Sequence, residues 1–250
     1  MIARLAPLLA PSLAIAAALL TAGPAVARAG FETTWVETVE VETVWVVEEA
    51  TETPDAGGLS RFLPVDPAIA PSRAPLASFG PFHLTRPDTI EMSGTVDSDS
   101  PAQFAALLAR HPGVKRLVMV ECPGSVDEDA NHALARSVRR AGLETIVPRG
   151  GSVRSGAVDL FLAGVRRSAD AGSEFGVHSW RDEDGMEAAD FPADAPVHAQ
   201  YLAYYREMGL SDDDARRFYA LTNSVPFDDV RMLSAADMAR LGLAELSAGT

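Results

Sequence analysis

A chain of 250 residues, 47% hydrophobic and 22% charged, can bury one full core with a small appendage. Its net charge of −14 argues against nucleic acid and anionic membrane surfaces as partners. One cysteine, Cys122, excludes an intrachain disulfide; with Val118, Met119 and Val120 before it, the thiol reads as a small buried hydrophobe at a strand end, a catalytic thiol being the alternative.

Residues 1–29 have the layout of a cleaved secretory signal peptide, with Arg4 near the start and an apolar stretch from Leu5 to about Leu20. Small residues follow in Ala25–Ala27 and Ala27–Ala29, so cleavage is expected after Ala27 or Ala29. Pro7, Pro11 and Pro24 interrupt the stretch, and no later run approaches the ~18 apolar residues of a spanning helix. The mature chain is expected to be periplasmic or secreted, with no membrane span.

Residues 30–87 form an acidic, proline-rich leader. "FETTWVETVEVETVWVVEEATETPD" holds eight carboxylates and no basic residue, and its period-two alternation fits either a poorly ordered arm or an edge hairpin. Seven prolines between residues 54 and 87 predict a linker rather than packed structure.

The folded domain is expected over 88–250. "TIEMSGTV" reads as a strand, and Ser100 caps a helix with Pro101 at its first position and Phe104, Leu107 and Leu108 on its apolar face. "RLVMVE" is a continuous apolar run, as in a strand buried on both faces. "VDEDANHALARSVRRAG" is an amphipathic helix ended by Gly142, and "ETIVP" is a further strand. "SGAVDLFLAGV" follows as a helix and "FGVHSW" as a strand, then come helices in "APVHAQYLAYYREMG", "SDDDARRFYALTN" and "SAADMARLGL". Strands alternating with helices at this spacing predict an α/β domain with parallel strands.

Two residues in this stretch carry the chemical interest. Ser155 opens a helix, where a serine either caps the backbone or presents its hydroxyl among N–H groups that stabilise a developing oxyanion. A serine nucleophile needs a base. His178 lies twenty-three residues on at the end of a strand, where it is either that base or a hydrogen-bonded structural residue. Pro123-Gly124-Ser125 sits between a buried strand and a helix, either as a simple turn or as one that aims backbone N–H groups into a site at the strand ends. No HExxH pair occurs and Cys122 lacks a partner, so a zinc site is not expected.

The order of strand, "PGS" turn, helix "ALARSVRRAGLETIVP", "SGAVDLFLAGVRR" and "GVHSW" resembles the Clp-protease-like serine hydrolases of the Clp/crotonase superfamily, their exported bacterial relatives in particular. The resemblance covers about Thr89 to Leu243. It implies a single domain built as a spiral of strand–strand–helix units, Ser155 as nucleophile and His178 as its base. It also implies an acid within "VPFDDVRMLSAADMARLGL", for which Asp228 is preferred to Asp229, and an oxyanion hole from the backbone of Gly124 or Ser125 with Gly156. The family's turn is usually Pro-Gly-Gly, and here Ser125 replaces the second glycine. No metal or organic cofactor is implied. Clp proteases work with an ATP-driven unfoldase, and an exported chain has no ATP supply. The expected substrates are therefore peptides or flexible segments, cleaved by the chain alone or as a homo-oligomer. A small-ester hydrolase with the same triad and an inactive envelope binding module are the other readings.

Overall fold

Parallel strands joined by helices build the domain from its first crossover. Strand β3 (Thr89–Ser93) leads through helix α1 (Ser100–Arg110) to β4 (Arg116–Cys122), and β4 leads through α2 (Glu128–Arg140) to β5 (Glu144–Val147). The next turns of the chain each add two strands before a helix. They are β5, β6 (Ser152–Arg154) and α3 (Gly156–Leu162), then β7 (Arg166–Asp170), β8 (Glu174–Val177), α4 (Pro196–Glu207) and α5 (Asp212–Thr222). Strand β9 (Arg231–Ser234), α6 (Ala235–Arg240) and β10 (Glu245–Ser247) close the domain. This is the expected α/β spiral of strand–strand–helix units. The computed structural model describes residues 73–247, which belong to one compact unit. The expected signal peptide at 1–29 and the leader up to residue 72 lie outside the described residues.

The long β4 makes the spiral possible because it serves two branches of one sheet in succession. Its first half pairs in parallel with β5 (Arg116↔Glu144 to Val118↔Ile146), while its last residues pair with β6 (Glu121↔Ser152, Cys122↔Val153). One path runs β1 (Ala77–Phe79), β2 (Phe82–Arg86), β3, β4, β5, β7 and β10, and a branch runs from β4 through β6 and β8 to the antiparallel β9. Helices α1, α2 and α3 close over the apolar faces, burying Phe104, Leu107, Leu134, Val138, Leu160 and Phe161 against Leu117, Met119 and Phe175. Cys122 is fully buried in that core at the end of β4, and burial pushes its thiol well above the usual range, which leaves it inert.

The folded domain starts earlier than 88. Strands β1 (Ala77–Phe79) and β2 (Phe82–Arg86) form an antiparallel hairpin that pairs with β3, and Phe82 and Leu84 reach the core. The prolines in this part of the expected linker do not prevent it. Pro81 and Pro87 flank β2 without interrupting its ladder, and the Pro81 carbonyl accepts from the Ser93 N–H at 3.0 Å. Helix α1 also starts one residue earlier than expected. The Asp97 carboxylate accepts the N–H groups of Asp99 and Ser100 at 3.1 and 3.0 Å, doing the work expected of the Ser100 hydroxyl.

Candidate active site

Three neighbouring parallel strands, β4, β6 and β8, end on one side of the branch sheet, which is where α/β folds place their sites. After β4 comes Pro123-Gly124-Ser125, after β6 comes Ser155, and after β8 comes His178. The register Arg154↔Gly176 continues in a bond from the Ser155 N–H to the Gly176 carbonyl at 2.8 Å. With strands ~4.8 Å apart, Ser155 and His178 therefore leave adjacent strands one and two residues past a paired position. Both line a cavity of about 500 Å³, together with Gly124, Ser125 and Gly156.

Ser155 holds a backbone conformation that no other described non-glycine residue adopts. Its φ of 53° and ψ of −135° lie in a region disfavoured for any residue with a Cβ, and such strain costs on the order of 1–3 kcal/mol. The conformation lets the chain turn from β6 straight into α3 and lifts the hydroxyl off the helix end. Although Ser155 occupies the N-cap position, its side chain makes no capping bond. Ser211 and Ser234, by contrast, accept from the N–H groups of Asp214 and Asp237 at the starts of α5 and α6. The capping alternative for Ser155 is thus not what the structure shows.

The turn after β4 is shaped to meet this serine. Gly124 has φ 140°, and a Cβ there would lie 2.9 Å from the Ser155 Cβ and 3.3 Å from its Oγ, so only glycine fits. Val96 donates to the Gly124 carbonyl and accepts from the Val126 N–H. That parallel bridge centres on Ser125 and turns the Ser125 N–H to the opposite side, away from Val96. The Gly156 N–H opens α3 and so has no acceptor within the helix, and the Gly156 carbonyl is held at 2.8 Å by the buried Asn131 side chain. A Cβ on Gly156 would come within 2.6 Å of the Ser125 Oγ, which shows how closely the two turns approach.

His178 is oriented by its own strand end. Its Nδ1 lies 2.7 Å from the Ser179 carbonyl, which can only accept, so the neutral ring carries its proton on Nδ1 and its lone pair on Nε2. The Phe227 ring meets the imidazole edge-on at 5.4 Å. Phe227 also lies under the Arg181 guanidinium, 4.0 Å from its ring centre, and its N–H donates to Glu187 at 2.9 Å. Arg181 in turn bridges Glu187 and Asp228, with Nη1 at 3.1 Å from the Asp228 Oδ1. This clamp ties the segment after His178 to the loop that carries Asp228. Asp229 serves that loop itself, accepting from the Val230 N–H at 2.7 Å while its own N–H donates to Pro226.

A buried ion pair adjoins the site. Arg154, one residue before Ser155, pairs with Glu121 on β4, both side chains being almost fully enclosed. Ser152, at the start of β6, also receives Arg154 and donates to Glu174 at the start of β8 at 3.0 Å, so β4, β6 and β8 are linked by side chains as well as by ladder bonds.

Sequence reasoning did not single out Glu128, Asp159, Trp180, Tyr201 and Tyr205, which also line the cavity. A signal for Asp159 was present, since it is the one charge in the helix "GAVDLFL", whose other six residues are buried. Close by, His132 stacks on Tyr204 at 4.2 Å, with its Nε2 at 3.3 Å from Glu128. Burial, aided by the charge of Arg136, pushes its pKa down to about 4, so it is neutral at pH 7. Between pH 6.5 and 4 the unfolded chain takes up a proton at this residue that the folded chain refuses, so its contribution to stability is lost as pH falls through that window. His132→Phe, which keeps the stacking ring, is expected to lose about 2 kcal/mol less than the parent between pH 7 and 4.5, or roughly 5 °C of melting temperature. Parallel melting curves for the two proteins would contradict this.

No protein-family model matches the chain, and no curated protein matches it in sequence. Solved structures do. The 1510-N membrane-bound stomatin-specific protease, as a variant in complex with a substrate peptide, aligns with a TM-score of 0.46 at 17% identity, covering 64% of this chain and 74% of that one. A second variant of the same protease aligns with a TM-score of 0.46 at 16% identity, covering 64% of this chain and 78% of that one. Among the described residues, no helix is long and apolar enough to cross a membrane.

Proposed function

We propose that the chain is a serine hydrolase that cleaves peptide bonds through an acyl-serine intermediate, acting outside the cytoplasm. The observation that carries this reading is the conformation of Ser155, a strained, non-capping serine at a helix start that shares a cavity with a histidine of the right tautomer.

His178 Nε2 takes the Ser155 hydroxyl proton as Oγ bonds to the substrate carbonyl carbon. The carbonyl oxygen becomes an oxyanion between the backbone N–H groups of Ser125 and Gly156, with Gly124 leaving room for it. Collapse of this intermediate breaks the bond to the leaving nitrogen, which receives the proton from His178. Water then repeats the sequence on the acyl-serine, giving a carboxylate and the restored enzyme. Asp228 supplies the negative charge that favours the transient imidazolium, and the Arg181 clamp holds its loop against Phe227 and the imidazole. Asp229 is spent on its own turn, which supports the choice of Asp228. Export rests on the amino-terminal pattern of residues 1–29.

A fluorophosphonate probe tests the reading. The parent is expected to be labelled once, and labelling to disappear in Ser155→Ala. Asp228→Asn is expected to slow labelling by ten-fold or more and Asp229→Asn by less than two-fold. Absence of labelling in the folded parent would point to the inactive binding module, and equal losses in the two aspartate variants would remove Asp228 from its role.

A further inference from the structure

The cavity wall beyond Ser155 carries a chemistry that the hydrolytic reaction does not use. Asp159 lies on α3, three residues after Gly156, and lines the cavity that also holds Ser155. Glu128 opens α2 three residues after Ser125, whose hydroxyl packs against Gly156 at the start of α3. Both acidic residues line the same cavity as the serine and the histidine. Trp180 and Tyr201, stacked with ring centres 5.6 Å apart, line it beside them.

We infer that this part of the cavity is a subsite for a cationic side chain, so that the enzyme cleaves preferentially next to lysine or arginine. The inference rests on the hydrolase reading for its outcome in catalysis, but not for the binding itself.

The surrounding charges favour that occupant. The arginines that line the cavity are already matched, Arg154 by Glu121 and Arg181 by Glu187 and Asp228. His132 beside Glu128 is neutral. The groups acting on Glu128 are its own neighbours Asp127 and Asp129 and the Tyr201 hydroxyl, and those acting on Asp159 are Glu128 and the Tyr205 hydroxyl. Burial, and then repulsion from Asp129 and Asp127, holds the Glu128 carboxyl above the usual range, and burial followed by repulsion from Glu128 does the same for Asp159. An ammonium or guanidinium placed between them would replace repulsion by two charge-assisted hydrogen bonds. The aromatic wall would cover the methylene stem that leads to such a head group.

Two measurements on the full chain test this. In the first, Ser155→Ala protein is titrated calorimetrically with benzamidine and with benzamide, its uncharged isostere. Benzamidine is expected to bind at least ten-fold tighter, and Asp159→Asn in the same background to erase the difference. Equal affinity for the two ligands, or a preference that survives Asp159→Asn, would overturn the subsite. The comparison of ligands on one protein needs no second variant, so a folding defect in Asp159→Asn cannot obscure it. In the second, the parent is expected to turn over a lysine ester with at least ten-fold higher kcat/KM than the norleucine ester. Equal values would overturn the specificity. Benzamidine preference without turnover of either ester would sustain the cationic subsite while removing the hydrolase reading.

Discussion

Ser155→Ala and His178→Ala are each expected to lower kcat by on the order of 10⁴-fold or more, and the double variant to be no worse than either alone. Serine and base act as a unit, because the hydroxyl gains nucleophilicity only as its proton moves to the imidazole. The comparison with Ser155→Gly adds a stability signature that a capping serine would not give. Ser155 sits at φ 53°, where glycine alone is unstrained, and its side chain makes no capping bond. Ser155→Gly should therefore be equally inactive yet melt at or above the parent temperature, since about 1–3 kcal/mol of backbone strain is relieved. A cap replaced by glycine would instead lose a few tenths of a kcal/mol. Rates from steady-state ester hydrolysis and melting by calorimetry check both parts. An active Ser155→Ala protein would return this residue to an ordinary helix start.

Gly124→Ala is expected to cost most of the turnover by the change of a single carbon. The added methyl would come within 2.9 Å of the Ser155 Cβ, at a φ of 140° that alanine avoids. Either Ser155 moves or the turn does, and in both cases the hydroxyl and the Ser125 N–H lose their relation to each other. Misplacing one oxyanion donor costs about 10²–10³ in kcat. Gly142→Ala is the control, because Gly142 has φ 67° but nothing within 4 Å of a would-be Cβ. It should lose stability from the backbone alone and keep its kcat. Similar kcat values for the two variants would show that the turn after β4 is not part of the site.

The contrast between these positions shows which features were readable in the chain itself. The turn at Gly124 and Ser125 and the helix start at Ser155 and Gly156 were legible as local patterns, while the roles expected of them came from the family resemblance. Helices α4, α5 and α6 were legible for the same reason, through Pro196, Ser211 and Ser234 at their starts. The adjacency of β4, β6 and β8 was not, because β6 is the three residues "SVR" and has no periodicity to read. Strand β7, "RRSAD", buries only Ala169 and owes its extended form to pairing with β5 and β10, which no local preference encodes. The hairpin β1–β2 was hidden by the prolines around it, although Phe82 and Leu84 alternate as a half-buried strand should. The Arg181 clamp joins residues 47 apart in the chain, and its partners Glu187 and Asp228 carry no signature that distinguishes them from other surface carboxylates.

The acyl-serine itself offers the most direct measurement. The parent protein mixed with a slowly deacylating p-nitrophenyl ester should release a burst of one p-nitrophenol per chain, and its intact mass should rise by one acyl group. Peptide mapping should place that group on Ser155, and His178→Ala should show neither burst nor adduct. Steady turnover without an adduct, or an acyl group on any other residue, would contradict the serine-hydrolase mechanism.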